Sequence, residues 1–318
     1  EMSASLVGSE MCIRDSFGNI KRFSGETIDR LREVGVEVFI FNPVHEYVNR
    51  LYFNYRDHRK IACIDGDVAY TGGVNIADEY ANLIERFGYW KDSGVCLEGE
   101  GAWGLTASFI RMCVNLGGVM HNEHDYYRPH TPAKSEGFCQ PFTDGPQNNP
   151  DNPAEDVFLQ MISGARRFLY ITTPYFIPDE SLMRALCIAG DGGVDVRQML
   201  PGKPDHWYAD CVAESYFGEL IKHGVKVYRY TPGFLHGKSI MVDREAAFVG
   251  SANMDYRSFE LDYECGVMVY SAPMIESLLE DMDMIVDRSH LVTAEEWAKR
   301  SVLRRVFEPL LRLFAIWM

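Results

Sequence analysis

The 318-residue sequence contains no run of about 18 apolar residues, the length that a membrane-spanning helix needs. Its start has no basic region followed by an apolar one, so we expect neither a membrane span nor a signal peptide in these residues. Basic residues are scarce, with 31 Lys and Arg against 46 Asp and Glu, a net charge of −15. Because such a surface repels polyanions at long range, any phosphate chemistry must come from a locally basic pocket.

The eight cysteines are scattered and form no Cys-x-x-Cys pair. In a chain of this length that spacing argues against a disulfide scaffold and indicates reduced, buried thiols in a cytosolic setting. Hydrophobic residues make up 47% and charged residues 24%, which is typical of a globular protein with a large core. The length predicts roughly two domains of about 100–200 residues each.

The chain contains an internal repeat, in which three segments recur in the same order. The segments VGVEVFIFNP (34–43) and HGVKVYRYTP (223–232) each combine a glycine turn, a β-rich run and a proline stop, which predicts a helix end followed by a strand. Two strand-like runs then follow in each copy, HRKIACID (58–65) and VAYTGGVN (68–75) in the first, HGKSIMVD (236–243) and AFVGSAN (247–253) in the second. Two homologous halves therefore make up the chain.

A segment dense in Pro, Asn, Asp and Gly, CQPFTDGPQNNPDNPAED (139–156), is typical of a connector between the halves. We place the boundary so that the first half covers residues 15–147 and the second covers 148–318. The second half is predicted to open with helix, strand, loop, helix and strand. The first half has a single helix near 24–34 and is expected to be truncated at its N-terminus. Residues 1–14 match no element by their pattern, and we expect them to be a non-native segment.

Each half carries the pattern His-x-Lys-x₄-Asp, followed by a glycine turn and an asparagine. The residues are His58, Lys60, Asp65 and Asn75 in the first half, and His236, Lys238, Asp243 and Asn253 in the second. Two matches in register are far beyond chance at the ordinary frequencies of Lys and Asp. Residues two apart on a strand share a face, so each half offers an imidazole, an ammonium and a carboxamide on one surface. If the halves pack about a pseudo-twofold axis, two of each converge, and that set suits a phosphodiester.

The duplicated motif resembles that of the phospholipase D superfamily, and within it the bacterial cardiolipin synthases. Four segments carry the similarity, DSFG (15–18), TPYFIPDE (173–180), GFLHGKSIMVD (233–243) and GSANMDYRSFELDYE (250–264). The resemblance implies an α/β fold of two homologous halves, each a mixed β-sheet flanked by helices, packed about a pseudo-twofold axis with one active site between them. It also implies two N-terminal transmembrane helices, which lie outside this sequence, and a catalytic domain on the cytoplasmic side of the bacterial cell membrane.

By this resemblance the protein transfers a phosphatidyl group from one phosphatidylglycerol to another, giving cardiolipin and glycerol through a phosphohistidine. His58 is expected to be the nucleophile and His236 the general acid and base, roles that require opposite protonation states. A carboxylate should orient the imidazole of its own half, Glu264 in the second half and Asp92 in the first.

The aspartates of the two motifs, Asp65 and Asp243, belong to the expected catalytic set, but we expect them to brace the hairpins rather than touch substrate. No metal or other cofactor is expected, because the lysines supply the positive charge that Mg²⁺ brings to other phosphoryl-transfer enzymes. The expected partners are phosphatidylglycerol and anionic membrane lipid, without nucleic acid, and the oligomeric state stays open.

Two alternatives to the transferase remain. The first is a phospholipase D-type phosphodiesterase, a lipid hydrolase or a nuclease, which would use the same residues. The acidic charge argues against the nuclease, which needs a basic groove along its substrate. The second is an inactive truncated fragment.

Three further segments have a structural interpretation beside the functional one. HNEHD (121–125) is favoured as a polar loop, since His-x-x-His alone lacks a third metal ligand. GDGG (190–193) is expected to end a helix before a strand, because it lacks the Gly-Lys-Ser/Thr of a phosphate loop. The C-terminal WAKRSVLRRVFEPLLRLFAIWM (297–318) has apolar residues at helical spacing with arginines among them, so a membrane-surface helix and a helix capping the core stay equally open.

Overall fold

A computed structural model describes residues 25–42, 54–119, 137–301, 304 and 310–313, together with the backbone of strands at 2–7 and 11–15. Its core consists of two large β-sheets, one for each half of the repeat. None of the helices in these ranges combines the length and the apolar character that a bilayer crossing needs.

The first sheet has six described strands in the order β3-β2-β1-β5-β6-β8. They are β1 (Met2–Val7), β2 (Met11–Asp15), β3 (Glu37–Phe41), β5 (Ile61–Ile64), β6 (Val68–Gly72) and β8 (Gly94–Glu98), with the short β4 (Arg56–Asp57) and β7 (Tyr89–Lys91) pairing elsewhere. The helices of this half are α1 (Gly25–Glu33) and α2 (Trp103–Asn115), the latter preceded by a 3₁₀ turn at Gly99–Ala102.

The second sheet has the order β19-β13-β12-β10-β15-β16-β18-β4, and β9 also pairs with β18. Its strands are β9 (Phe138–Asp144), β10 (Phe168–Thr172), β12 (Asp195–Pro201), β13 (Lys226–Tyr230), β15 (Ser239–Val242), β16 (Ala246–Gly250), β18 (Asp262–Tyr270) and β19 (Ser289–Leu291), with β11 (Phe176–Ile177), β14 (Gly233–Leu235) and β17 (Met254–Asp255) outside it. The helices are α3 (Pro153–Gly164), α4 (Glu180–Asp191), α5 (Trp207–Lys222), α6 (Tyr256–Glu260), α7 (Met274–Asp287) and α8 (Ala294–Ala298), with a 3₁₀ turn at Pro146–Asn148.

Local sequence signals explain where several of these elements begin and end. Pro153 opens α3, and the Asp179 side chain accepts a hydrogen bond from the Leu182 amide at the start of α4. Gly35 and Gly224 follow α1 and α5 with φ of 93° and 80°, the left-handed conformation that ends a helix at low cost. The repeated glycine turn of the sequence is therefore the same helix stop in both halves.

The two sheets share one strand order with one difference in direction. Strand β10 lies antiparallel to β15, whereas β1 occupies the matching place beside β5 and runs parallel to it. Residues 1–14, which matched no element by pattern, thus contribute strands β1 and β2, and their non-native origin stays a prediction.

One hydrophobic core joins the halves. The inner faces of both sheets contribute to it, with Cys63 and Val95 from the first sheet and Met241 and Val267 from the second, and helices α2 and α7 close its ends. A second core lies on the outer face of the second sheet beneath α3, α4 and α5. The sheets therefore pack face to face, which brings matching strand ends of the two halves together.

The prediction of two mixed sheets flanked by helices is confirmed, and the order of elements that opens the second half is as expected. The predicted connector is wrong in part, because residues 139–144 form most of β9, which pairs along β18 of the second sheet. The boundary near 148 stays a prediction. The GDGG segment ends α4 before β12, as expected. HNEHD and most of the C-terminal stretch lie outside the described residues.

Candidate active site

The two motif histidines lie just before strands β5 and β15, where the sheets meet. The backbone amide of His58 donates to the Tyr263 carbonyl at 2.9 Å, and that of His236 donates to the Lys91 carbonyl at 2.7 Å. Beside these bonds, β4 pairs in parallel with the start of β18 and β14 pairs in parallel with β7. Each histidine is thus anchored on a strand of the opposite half, in a matching way.

The imidazole of His236 is held by a carboxylate of the first half. Its Nδ1 lies 2.7 Å from Oδ2 of Asp92, while Oδ1 of Asp92 accepts from the Ser93 amide at 2.9 Å. Both side chains are buried, with 7% and 6% of their surface exposed. A bond from Nδ1–H to Asp92 fixes the tautomer and leaves Nε2 with its lone pair.

The imidazole of His58 is held in the same way by the second half. Its Nδ1 lies 2.9 Å from Oε1 of Glu264, and the other oxygen of Glu264 accepts a short hydrogen bond from the Ser251 hydroxyl. Glu264 is 1% exposed, whereas the His58 side chain is 20% exposed. The two His–carboxylate pairs are therefore reciprocal, although His58 is the more open.

This crossing corrects the expectation that each carboxylate orients the histidine of its own half. Asp92 belongs to the first half and contacts His236, and Glu264 belongs to the second half and contacts His58. The residue types were found from the sequence, but the partners were wrong, because the parallel strand pairs that join the halves have no local sequence signal.

The lysines add positive charge at both histidines. Lys238 Nζ lies 2.9 Å from each ring nitrogen of His236, so the ammonium is over the ring face and not along either lone pair. Burial and the nearby Lys238 lower the pKa of His236 to about 4, against the opposite effect of Asp92, and Lys60 lowers it further. The influence of Lys60 on His236 places the two motifs in one electrostatic site.

The two orienting carboxylates have lowered pKa values despite their burial. Burial alone would raise the pKa of Asp92, but His236 and Lys238 outweigh it and lower that pKa. Burial likewise opposes the ionisation of Glu264, and His58, Lys60 and Ser251 lower its pKa. Each carboxylate can therefore accept a hydrogen bond from its imidazole and stabilise positive charge on it.

The two motif asparagines are buried. Asn75 and Asn253 are 4% and 7% exposed, and the Oδ1 atom of each has no hydrogen-bond partner among the described residues. The Nδ2 of Asn75 donates to the Tyr80 hydroxyl at 2.6 Å. Since a buried amide without a partner is costly, these atoms are consistent with a polar ligand in the site.

Comparison with known proteins shows which proteins the chain is similar to. The family described as "Cardiolipin synthase, PLD-like domain" matches residues 158–286. A protein named cardiolipin synthase from Halalkalibacterium halodurans is 38% identical over 303 residues, which are 95% of this chain and 60% of that protein. The chain is similar to the cardiolipin synthases with a phospholipase D-like domain. A protein named cardiolipin synthase 2 from Bacillus anthracis is 36% identical over 302 residues, 95% of this chain and 58% of that protein.

The chain thus spans about three fifths of the length of these curated relatives. Among solved structures, a phosphatidylserine synthase from Haemophilus influenzae superposes with a TM-score of 0.65 over 93% of this chain and 77% of that one. At 15% sequence identity, this likeness supports the phospholipase D fold alone.

The motif aspartates of this superfamily pattern lie away from the imidazoles. Asp243 accepts from the amides of Arg166, Arg167 and Phe168 at 2.7–2.9 Å, and thereby ties the β15–β16 turn to the start of β10. Asp65 is exposed at the matching turn, and both residues have a φ of 53°. These hydrogen bonds agree with the expectation that Asp243 braces the hairpin, a role that needs no contact with substrate.

Sequence reasoning missed the side chains that surround each imidazole. The rings of Tyr80, Trp90 and Phe234 have centroids 5.2, 5.3 and 5.8 Å from that of His236. Near His58 lie the carboxyl groups of Asp262 and Asp255, both buried. Aromatic residues flank the second motif in sequence, at 230–235, but nothing in the pattern separates such residues from an ordinary core.

One described group has ligand atoms close enough to hold a metal ion. Atoms of His58, Asp262 and Glu264 lie within 4.8 Å of one another. Glu264 already accepts hydrogen bonds from His58 and Ser251, and Lys60 lowers its pKa. A donor set so engaged with protons and a neighbouring ammonium does not fit a divalent cation.

Proposed function

We propose that the protein is a phosphatidyltransferase that makes cardiolipin and glycerol from two molecules of phosphatidylglycerol. The observation that carries this proposal is the pair of reciprocal His–carboxylate contacts, His58 with Glu264 and His236 with Asp92, each beside a motif lysine. The relatives named cardiolipin synthase support the choice of a phospholipid substrate.

The chemistry proceeds in two steps. One imidazole attacks phosphorus and forms a phosphohistidine, while the other protonates the glycerol oxygen that leaves. In the second step the protonation reverses: the second imidazole removes a proton from the hydroxyl of the incoming lipid, and that oxygen displaces the histidine. Lys60 and Lys238, with Asn75 and Asn253, stabilise the extra negative charge on the phosphoryl oxygens.

The reaction needs a lipid hydroxyl to compete with water. The burial of His236 among aromatic rings provides a dry environment on one side of the phosphorus. Substrates of this kind reside in a bilayer, so we propose that the protein works in association with an anionic membrane surface. The ammonium groups of Lys60 and Lys238 provide local positive charge for the lipid phosphate in a chain whose overall charge is −15.

The test is incubation with phosphatidylglycerol vesicles carrying labelled headgroup glycerol, and in parallel with single-stranded DNA. We expect glycerol release together with a lipid that contains two phosphates. Release of glycerol with phosphatidic acid as the only lipid product would instead indicate a hydrolase. Cleavage of the DNA without glycerol release would indicate a nuclease, and either result would overturn the transferase.

A further inference from the structure

The two histidines have the same kind of carboxylate partner but very different surroundings. The backbone amide of each histidine donates to a strand of the opposite half, His236 to β7 and His58 to the start of β18. These two strands therefore occupy equivalent positions, and Asp92 is equivalent to Glu264. The residue two positions before the carboxylate is Trp90 in the first half and Asp262 in the second. The site is therefore aromatic at His236 and acidic at His58.

Around His236 the contacts favour a neutral imidazole. The Lys238 ammonium lies against the ring, so a charged imidazole there would place two cations in contact. Burial at 7% exposure and the three aromatic rings add a desolvation cost for charge. Because Nδ1 bonds Asp92, Nε2 carries the lone pair that can attack, with the Lys238 ammonium 2.9 Å away.

Around His58 the neighbouring side chains are mainly carboxyl groups. Glu264 and Asp262 both place carboxylate oxygens near its ring nitrogens, and Asp255 interacts with it electrostatically. Two cations face these carboxyl groups. Lys60 lowers the pKa of Glu264, and Nε of Arg257 lies 3.3 Å from Oδ2 of Asp262. Burial is the main cause that raises the pKa of Asp255 and raises the pKa of Asp262 well above its usual range. The neighbouring carboxylates act in the same direction. The groups that face the His58 ring are thus carboxyl groups, whereas the group against the His236 ring is an ammonium.

Access to the proton differs in the same direction. His58 has 20% of its side chain exposed and His236 has 7%. The general acid must exchange its proton with each leaving and entering alcohol, whereas the nucleophile needs only the phosphorus. Exposure and charge therefore select the same residue as the acid.

We propose that His236 is the nucleophile and that His58 is the general acid and base, the reverse of the order implied by resemblance in the sequence. The proposal rests on the two-histidine function proposed above. In the first step the lone pair of Nε2 of His236 forms the P–N bond, the P–O bond to glycerol breaks, and the glycerol oxygen takes the proton from His58. In the second step the incoming hydroxyl gives its proton to His58, its oxygen forms a new P–O bond, and the P–N bond breaks.

The direct test is acid-free quenching of the protein with phosphatidylglycerol labelled in phosphorus, followed by peptide mapping. We expect the phosphoramidate on the peptide with His236. Label on the peptide with His58 would overturn the assignment and leave the transferase intact. Absence of label together with absence of glycerol release would overturn the proposed function itself.

A second test uses bis(p-nitrophenyl) phosphate, whose phenolate leaves without a proton. His58→Asn should give a burst of about one phenolate per site, with the later steady rate lower by about 10²–10⁴-fold because the base is missing. His236→Asn should give no burst. The opposite pattern would sink the assignment, and a cooperative melting curve for each variant establishes that both are folded.

Discussion

The second sheet is covered on both faces, while the outer face of the first sheet borders an open cavity. Helices α3, α4 and α5 pack over the second sheet and bury residues such as Ile240 and Phe248. On the matching strands of the first sheet, a cavity of about 410 Å³ is lined by residues that include Tyr70 and Cys96. Each motif histidine nevertheless bonds a buried carboxylate of the opposite half, which teaches that the shared inner core positions the site.

A second comparison concerns the two sides of the site. Both imidazoles bond a buried carboxylate, but His236 has an ammonium and aromatic rings beside it, whereas His58 has further carboxyl groups. Duplication of the motif therefore gives matching histidine–carboxylate contacts. The charge around each ring is set by Lys238 of the motif together with Asp255 and Asp262 outside it. Substitutions at matching positions measure how far the two halves are equivalent.

The largest effect is expected for the histidines. His236→Ala should lower kcat by at least about 10⁴-fold because the nucleophile is lost, and His58→Ala by about 10²–10⁴-fold because the acid is lost. The readout is cardiolipin formation in vesicles. His290→Ala, at an exposed histidine bonded to Glu296, should leave activity unchanged. Substantial turnover by either site variant would contradict the two-histidine mechanism.

The crossed carboxylates should show the next largest effect. Asp92→Asn and Glu264→Gln each replace an anion that orients an imidazole, and kcat should fall by about 10²–10⁴-fold with little change in KM. The matched control is Asp191→Asn, which makes the same change in the His223–Asp191 pair, where the Nδ1–Oδ2 distance is 2.8 Å. If Asp191→Asn lowers kcat as much as Asp92→Asn does, orientation across the halves is not the cause.

Close packing between the halves predicts a smaller effect on activity. A Cβ on Gly73 would overlap Oδ1 of Asp92 and lie 3.0 Å from the His236 carbonyl oxygen, so Gly73→Ala should displace the carboxylate and lower kcat at least about tenfold. A Cβ on Gly237 would meet the Ser93 hydroxyl at 2.9 Å, which can rotate, so Gly237→Ala should cost less. Equal kcat values for the two variants would contradict this difference.

Substitution of the two motif aspartates should lower the stability of the protein by different amounts and should change catalysis little. Asp243→Asn weakens bonds to three amides and should lower the free energy of unfolding by about 1–3 kcal/mol. Asp65→Asn, at the matching exposed turn, should change it by less than about 0.5 kcal/mol. Urea titration at pH 7 measures both, and equal losses would contradict the asymmetry.

The same pair gives a pH dependence with a defined sign. Burial would raise the pKa of Asp243, but the three amides outweigh it and lower that pKa. The stabilisation is therefore present above the unfolded value of about 3.9 and is lost as pH falls through the lower folded value. In the Asp243→Asn variant this loss at acid pH should be smaller, as urea titrations between pH 3 and 7 would measure.

Much of the fold was predictable because the repeat is local in sequence. The glycine helix stops at Gly35 and Gly224, and the strands that follow each motif, have short-range patterns with direct physical causes. Strand β9, which pairs with β18, was not predicted. It contains a proline and lies directly before a segment rich in Pro and Asn, and both features are typical of a loop. The pairing of Asp92 with His236 could not be derived, since it depends on contacts between residues 144 apart.

The exchange of carboxylates between the halves has one more consequence. Neither half holds a complete catalytic dyad, so a slight separation of the two sheets would release both imidazoles from their anchors at the same moment. Both imidazoles are therefore oriented only while the two halves are packed together. A single half released by proteolysis would have a histidine without its orienting carboxylate.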